Sequence, residues 1–322
     1  MSAGVMDWPA QRVIVTGGAG FLGRAVVRAL RERGVADGAI FVARSAEFDL
    51  RERSAAARMV EVFNGATVVL HSAGFIGGLG LNRAHPARML MDNTMMGLNV
   101  LSALVASGFA ARGGRAAVIG SMTSYPATAA LPYAESSLFG GLPDKEIASY
   151  GVGKLALLQA LWACRQEHGL RGVMPVLVNL YGPGDNIDDE NRSHAAGALM
   201  KRFVDAVKTG AAEVVCWGTG SPTRDFLFVD DAAAGVLGAI EHVEDGSAIN
   251  IASGREVSIR ELTETIAKAA GYGGRVVWDA SKGDGVSRRC LDVSRARELL
   301  GWTARVGLAE GMQRTVEWYR SR

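Results

Sequence analysis

Cysteine is scarce in this sequence. Its 322 residues hold three, Cys164, Cys216 and Cys290. They are too far apart for a disulfide framework or for metal-ligand spacing, so no metal site is read and a reducing cytoplasm is expected. Charge of one sign is also lacking. Thirty-five Lys and Arg against 33 Asp and Glu leave a net charge of +2, which provides no bulk attraction to nucleic acid or to an anionic membrane. No uninterrupted apolar run approaches the ~20 residues of a membrane span. The first ten residues carry Asp7 and lack a basic start followed by an apolar stretch, so no signal peptide is expected. Repeats and low-complexity tracts are missing too. A chain of this length can bury a large core as one big domain or two intimate ones.

Glycine is abundant, with 41 residues, and its placement is informative. The β-branched run Arg12 to Thr16 reads as a buried parallel strand. Gly17, Gly20 and Gly23 follow, and a helix is expected from about Leu22 to Arg33. Strand, glycine turn and helix make a dinucleotide site: Gly17 permits the tight turn, Gly20 lets backbone approach a pyrophosphate, and Gly23 lets the helix pack close. Phe21 and Leu22 open that helix. A second strand, Ala39 to Ala43, ends in Arg44-Ser45, where an NAD-preferring chain usually carries an acidic residue. A guanidinium and a hydroxyl suit a 2′-phosphate, so NADP(H) is the expected cofactor. Asp49 and Leu50 stand where such chains often touch the adenine. A third strand, Thr67 to His71, ends in Ser72-Ala73-Gly74, small residues that let a cofactor lie across the sheet edge. His71 is expected to pack at the strand end rather than to react. A long apolar helix is expected from Pro86 to Val105.

The strand Arg115 to Ile119 ends at Gly120-Ser121, where α/β folds place working groups. A loop from Pro126 to Asp144 is long enough to cover a site. The next helix, about Ser149 to His168, carries Tyr150 and Lys154 one turn apart on one face. An ammonium beside a phenol favours the phenolate, so Lys154 is expected to lower the Tyr150 pKa and Ser121 to bond the same substrate oxygen. Alone, a Tyr and a Lys at this spacing are as compatible with a half-buried Tyr beside a solvated Lys. After the strand Val173 to Asn179 the chain turns polar. A helix is expected over Ala195 to Thr209 and a strand over Val214 to Trp217, followed by the stretch Gly218 to Phe226 and then a helix that begins at Phe228 to Asp231 with an Asp as N-cap. The expected fold class is α/β, a Rossmann-type doubly wound parallel sheet with a smaller, discontinuous α/β substrate domain. The boundaries are 10–181 plus 228–252 for the nucleotide domain and 182–227 plus 253–322 for the other.

Together these landmarks resemble the extended short-chain dehydrogenase/reductases acting on nucleotide sugars, and within them the GDP-L-fucose synthase family. The likeness rests on the glycine fingerprint, Gly77-Gly78, Gly120-Ser121 before Tyr125-Pro126, Tyr150 with Lys154, Asn179-Leu180-Tyr181-Gly182-Pro183, Asp185-Asn186, Ser193-His194, Trp217 to Pro222 with Arg224 and Phe226, Leu291-Asp292-Val293 and Leu300-Gly301-Trp302. The resemblance implies a GDP-4-keto-6-deoxyhexose substrate, epimerised at C3 and C5 and then reduced at C4 with NADPH. It implies that Tyr150 supplies the proton, Lys154 holds the nicotinamide ribose, and Asn179 and Leu180 touch the cofactor, Asn179 also the sugar. Met122, His194, Arg202, Trp217, Arg224 and Arg289 fall at positions around the nucleotide diphosphate and sugar. The family's epimerising pair is a cysteine base and a histidine acid. The histidine is His194, but Thr123 stands at the cysteine position, and a threonine hydroxyl does not titrate near neutrality. The expected activity is therefore C4 ketone reduction of an NDP-4-keto-6-deoxy sugar, GDP-linked, with little or no epimerisation. The alternatives are the bifunctional epimerase/reductase, an NAD-retaining 4-epimerase or dehydratase, and a non-catalytic NADP-binding regulator. Met122-Thr123-Ser124 lacks the acidic residues that dehydratases place after the serine. A homodimer is expected through the long helices, with no nucleic-acid or membrane partner.

Overall fold

The computed structural model describes residues 6–187 and 195–322. The first half alternates strand and helix. β1 (Val13–Thr16), α1 (Phe21–Glu32), β2 (Ile40–Ala43), α2 (Arg53–Val62) and β3 (Val68–His71) lead to α3 (Leu79–Ala84) and α4 (Pro86–Ala106). β4 (Arg115–Val118), β5 (Gly120–Ser121), α5 (Ala148–His168) and β6 (Arg171–Leu177) follow. The second half runs β7 (Asn179–Tyr181), α6 (Ala195–Thr209), β8 (Glu213–Trp217), β9 (Thr223–Phe228), α7 (Val229–His242) and β10 (Asp245–Ile251). It closes with β11 (Glu256–Ser258), α8 (Ile259–Ala269), β12 (Arg275–Asp279), β13 (Arg288–Arg289), α9 (Ser294–Leu300) and α10 (Leu308–Arg320).

The main sheet is parallel in the order β10-β6-β4-β3-β1-β2, with β5 also on β6. From β1 the chain moves outward to β2 and then returns to β3 on the other side. That reversal opens a crevice at the carboxyl ends of β1 and β3, where open α/β sheets bind ligands. Val13, Ile14, Val15, Val68, Val69 and Leu70 are all buried, because helices cover both faces: α1 with α7 on one, α2, α4 and α5 on the other. This is the doubly wound Rossmann-type architecture that the alternating apolar runs predict.

α4 differs from expectation. Its 18-residue mean hydropathy reaches 1.2, so by length and composition alone it could cross a membrane. Arg88, Asp92, Asn93 and Asn99 interrupt the apolar run without lowering the average enough. Its contacts are those of a helix inside a folded chain: it packs on α2 and α5, and a β-carbon on Gly97 would lie 2.5 Å from Leu157.

A second core gathers Phe203, Val204, Leu262, Ile266 and Val316 from α6, α8 and α10. It carries two small sheets, β11-β9-β13 with β7 beside β9, and β12-β8. β7 and β9 lie between the cores. Leu227 packs in the first core, whereas Tyr181, Phe226 and Phe228 pack in the second. Leu291, Val293 and Ala296 return to the first core, although the expected boundaries put 253–322 in the smaller unit. β9 has no counterpart among the expected elements, since no strand is read from Gly218 to Phe226 with its charged Arg224-Asp225. Asp225 is instead fully buried, its carboxylate accepting from Ser253 N (3.1 Å), Ser253 Oγ (2.5 Å) and Gly254 N (3.0 Å). Burial raises its pKa to about 6.

The expected Asp cap of α7 is also corrected. Phe228 occupies the N-cap, and Asp230 and Asp231 fall in the first turn. Asp230 pairs with Arg28. Asp231 accepts from Arg305 N (2.9 Å) and Val306 N (2.8 Å), tying the C-terminal segment to α7. Replacing Asp231 with Ala leaves two partly buried N–H groups without this acceptor. We expect a loss of about 1–3 kcal/mol in urea unfolding, with NADPH affinity unchanged. Wild-type stability would refute this tie.

Candidate active site

The glycine turn after β1 forms the floor of the crevice. Gly17 has φ 69°, where an L side chain is strained, and its β-carbon would lie 2.7 Å from Ala73 N. A β-carbon on Gly23 would lie 2.1 Å from Gly17 O, so α1 can start only because that atom is missing. α1 has Gly20 as N-cap, no side-chain cap and no acidic residue in its first turn. Its leading N–H groups and positive dipole end therefore suit a pyrophosphate. Phe21 and Leu22 pack against the first core. Across the crevice, Thr16 Oγ1 shares a 2.9 Å hydrogen bond with His71 Nδ1 and accepts from Ala73 N at 3.3 Å, while Ser72 Oγ donates to Thr16 O at 2.8 Å. These bonds seat Ser72 and Ala73 beside the glycine turn, with exposed Gly74 beyond them. Burial, aided by the charge on Lys154, holds the His71 pKa down to about 3, so its ring stays neutral.

Arg44 and Ser45 are exposed at the carboxyl end of β2. The Asp49 carboxylate is occupied by Arg51, whose Nε and Nη2 donate at 2.9 and 2.6 Å and hold its pKa near about 2. Leu50 is buried in the core. Two of the expected adenine contacts thus have their side chains engaged within the protein.

Tyr150 and Lys154 lie in the first turns of α5, with Lys154 Nζ 5.5 Å from the Tyr150 ring centre. α5 presses against β5 and the turn at Met122–Ser124. A β-carbon on Gly151 would lie 2.4 Å from Thr123 O, and one on Gly153 would lie 2.8 Å from Thr94 Oγ1. These two glycines allow the helix to bring Tyr150 to the Ser121 strand end, a role their sequence position did not signal. Ser121 Oγ accepts from Thr123 Oγ1 at 2.9 Å and from Thr123 N at 3.3 Å. The Thr123 hydroxyl is therefore directed at Ser121. Met122 is buried in the first core.

The expected lowering of the Tyr150 pKa is not found. Burial pushes the phenol up, and burial lowers Lys154 to about 8. Desolvation is the cause of both shifts. The phenol keeps its proton, the state needed to protonate a carbonyl oxygen.

A cationic pair lies on two strands of the small sheet built on β9. β9 and β13 are parallel and put Arg224 directly across from Arg289. Burial, then the Arg289 charge, lowers the Arg224 pKa to about 10. Asp144 reaches Arg289 at 3.8 Å. Two partly buried guanidinium groups on neighbouring strands favour a multivalent anion. Asn179 Nδ2 donates to Asp225 O at 2.9 Å and so joins β7 to the strand carrying Arg224; Leu180 packs against the first core. Further out, Arg202 donates to Val215 O at 2.6 Å with its guanidinium 5.9 Å from the Trp217 ring. Trp217 is 66% exposed, and both residues line a cavity of about 450 Å³ between α6 and β8. A cavity of about 630 Å³ beside Phe139, Trp162 and Arg295 includes none of the expected site residues. His194 lies outside the described residues.

The fold and this crevice are those of an extended short-chain dehydrogenase/reductase of the nucleotide-sugar type. Residues 13–252 match the model of the NAD dependent epimerase/dehydratase family, and the chain belongs to it. It is similar to GDP-L-fucose synthase of Escherichia coli (strain K12), with 35% identity over 322 residues covering 96% of each protein. Among solved structures, it resembles a GDP-6-OMe-4-keto-L-xylo-heptose reductase from C. jejuni, with a TM-score of 0.89, 24% identity and 99% of both chains covered. It also resembles RMD from Pseudomonas aeruginosa complexed with NADPH, with a TM-score of 0.81, 26% identity, and 97% of this chain and 100% of that one covered.

The depressed Lys154 pKa leads to a pH dependence. The ammonium is present below about pH 8 and is lost as pH rises through that value. With the cation as the working form, kcat/KM for NADPH, which reports the free enzyme, should fall about tenfold per pH unit above that point. A profile flat to pH 10 would show that the charge on Lys154 does not matter.

Proposed function

We propose that this chain reduces the C4 ketone of a GDP-linked 4-keto-6-deoxy sugar with NADPH, without epimerising C3 or C5. The observation that carries the reading is the set of Ser121, Tyr150 and Lys154 with an uncapped glycine turn, together with the paired Arg224 and Arg289 on β9 and β13. The residues around the turn fit the cofactor: among the described residues the α1 N-terminus has no side-chain cap and no acidic residue in its first turn, and Arg44 and Ser45 are exposed where a 2′-phosphate would lie. Bound NADPH supplies the hydride that reaches C4. Tyr150 gives its phenolic proton to the carbonyl oxygen, so ketone, hydride and proton become a hydroxyl. Ser121 orients that oxygen by hydrogen bonding. Lys154 holds the nicotinamide ribose and returns a proton toward Tyr150. Arg224 and Arg289 bind the diphosphate, and Trp217 with Arg202 flanks the base.

Thr123 is the reason for leaving out epimerisation. Abstracting a proton beside a ketone needs a base of suitable pKa in contact with it. The Thr123 hydroxyl is far too weakly acidic and already donates to Ser121. The second reading is a bifunctional epimerase/reductase, favoured by the likeness to GDP-L-fucose synthase.

The experiment is incubation with GDP-4-keto-6-deoxymannose and NADPH in deuterated water, the product read by NMR. The expected product is reduced at C4 and carries no deuterium at C3 or C5. Deuterium at either carbon would replace this reading with the bifunctional one. A panel of 4-keto sugar nucleotides all left unreduced would remove both. We further propose a homodimer: Met91, Met95 and Leu98 form an exposed apolar stripe along α4. Light scattering should give twice the mass of one chain, and a monomer at working concentration would refute the pairing.

A further inference from the structure

Asn250, near the carboxyl end of β10, is fully buried and spends every hydrogen-bonding group of its side chain. Its Oδ1 accepts from the Tyr125 hydroxyl at 2.6 Å. Its Nδ2 donates to Tyr133 O and to Asp292 O, both at 2.9 Å. Its backbone N–H donates to Glu135 Oε1 at 2.8 Å. The residues so gathered come from three distant stretches. Tyr125 follows closely after Ser121. Tyr133 and Glu135 belong to the segment expected to cover the site. Asp292 stands just beyond Arg289.

The rest of the knot is equally specific. The rings of Tyr125 and Tyr133 stack with centres 5.1 Å apart. Tyr133 N donates to Cys290 O, and Asp292 N donates to Tyr133 O, each at 2.9 Å. Tyr133 is thereby laid alongside Leu291 as a single parallel bridge. A carboxamide is the side chain that offers two donors and an acceptor together without charge. Aspartate has the same shape but no donor, and would turn an anion toward two carbonyl oxygens.

We infer that Asn250 is a positioning residue: it ties the strand end carrying Ser121 to the strand carrying Arg289, and so sets the distance between the carbonyl-orienting serine and the arginine pair. This rests on the proposed reading of the site, in which Arg224 and Arg289 hold a diphosphate while Ser121 orients the reacting oxygen. A ligand that must reach both ends at once senses that distance. NADPH, which runs from the glycine turn to Lys154 in this reading and does not touch the arginine pair, does not.

The test uses Asn250→Asp and Tyr125→Phe, the second removing one bond and keeping the ring stack should the first variant fold poorly. In the ligand-free protein, hydrogen exchange should accelerate together in residues 126–144 and 286–293, with residues 13–30 unchanged. With GDP-4-keto-6-deoxymannose as probe in the absence of NADPH, affinity should fall about tenfold or more in Asn250→Asp and less in Tyr125→Phe, while the affinities for GDP, which reaches only the arginine end, and for NADPH stay within about twofold. KM for the keto sugar nucleotide should rise more than kcat falls. Exchange unchanged in the folded variants would overturn the inference. So would an unchanged affinity for the sugar nucleotide in them, or affinities for the sugar nucleotide, GDP and NADPH all weakened equally, the pattern of a merely structural residue. A wild-type protein that bound neither GDP nor sugar nucleotide would sink the substrate reading and the proposed consequence for affinity. The exchange data would still decide whether the tie exists.

Discussion

Gly17, Gly23 and Gly151 each mark a place where one stretch of the chain passes another closer than a β-carbon allows. Gly17 meets the backbone of Ala73, Gly23 meets the carbonyl of Gly17, and Gly151 meets the carbonyl of Thr123. The obstacle in each case is main chain, which cannot move aside as a flexible side chain would. The first two contacts fix the floor of the nucleotide crevice and the start of α1. The third fixes how near the helix bearing Tyr150 and Lys154 comes to the strand end bearing Ser121. A site assembled from backbone contacts is stiff, and stiffness holds reacting groups in place without further cost when substrate arrives.

Electrostatics follow from that packing. Pressing α5 against the sheet buries Lys154, so its ammonium is held near its limit while the neighbouring phenol is kept protonated. At the opposite end, Arg224 and Arg289 are brought side by side by strand register, which costs repulsion until an anion arrives. Asp144, at 3.8 Å from Arg289, offsets only part of it. The ends of the crevice thus have different characters: one is poised to protonate an oxygen, the other to hold a doubly charged group.

The elements that local pattern revealed are those whose environment is uniform. β1 and β3 are buried on both faces, and an unbroken β-branched run shows this. α1 and α5 carry long apolar faces. β9 was hidden because Arg224 and Asp225 read as surface, and only the partners from Ser253 and Gly254 make a buried carboxylate there tolerable. β11 and α9 are short, with too few residues for a period to emerge. Leu50 was expected at the adenine; its side chain lies in the core from the turn between β2 and α2, where no period separates buried from exposed positions. The fall in the Tyr150 pKa was expected from spacing alone, but burial, which spacing does not report, has the larger effect.

Sequence alone determined the doubly wound nucleotide fold and the family, and it pointed to Tyr150 with Lys154 as the reacting pair. Each rests on residues that act within a few positions of one another: a glycine turn between strand and helix, or a tyrosine and a lysine on one helical turn. Tertiary structure decided everything that needs partners far apart in the chain. It put Arg289 opposite Arg224, turned Thr123 toward Ser121, and gathered Tyr125, Tyr133 and Asp292 around Asn250. A lone asparagine among apolar residues carries no local pattern. Its meaning comes from three segments that only the closed fold brings within hydrogen-bonding distance.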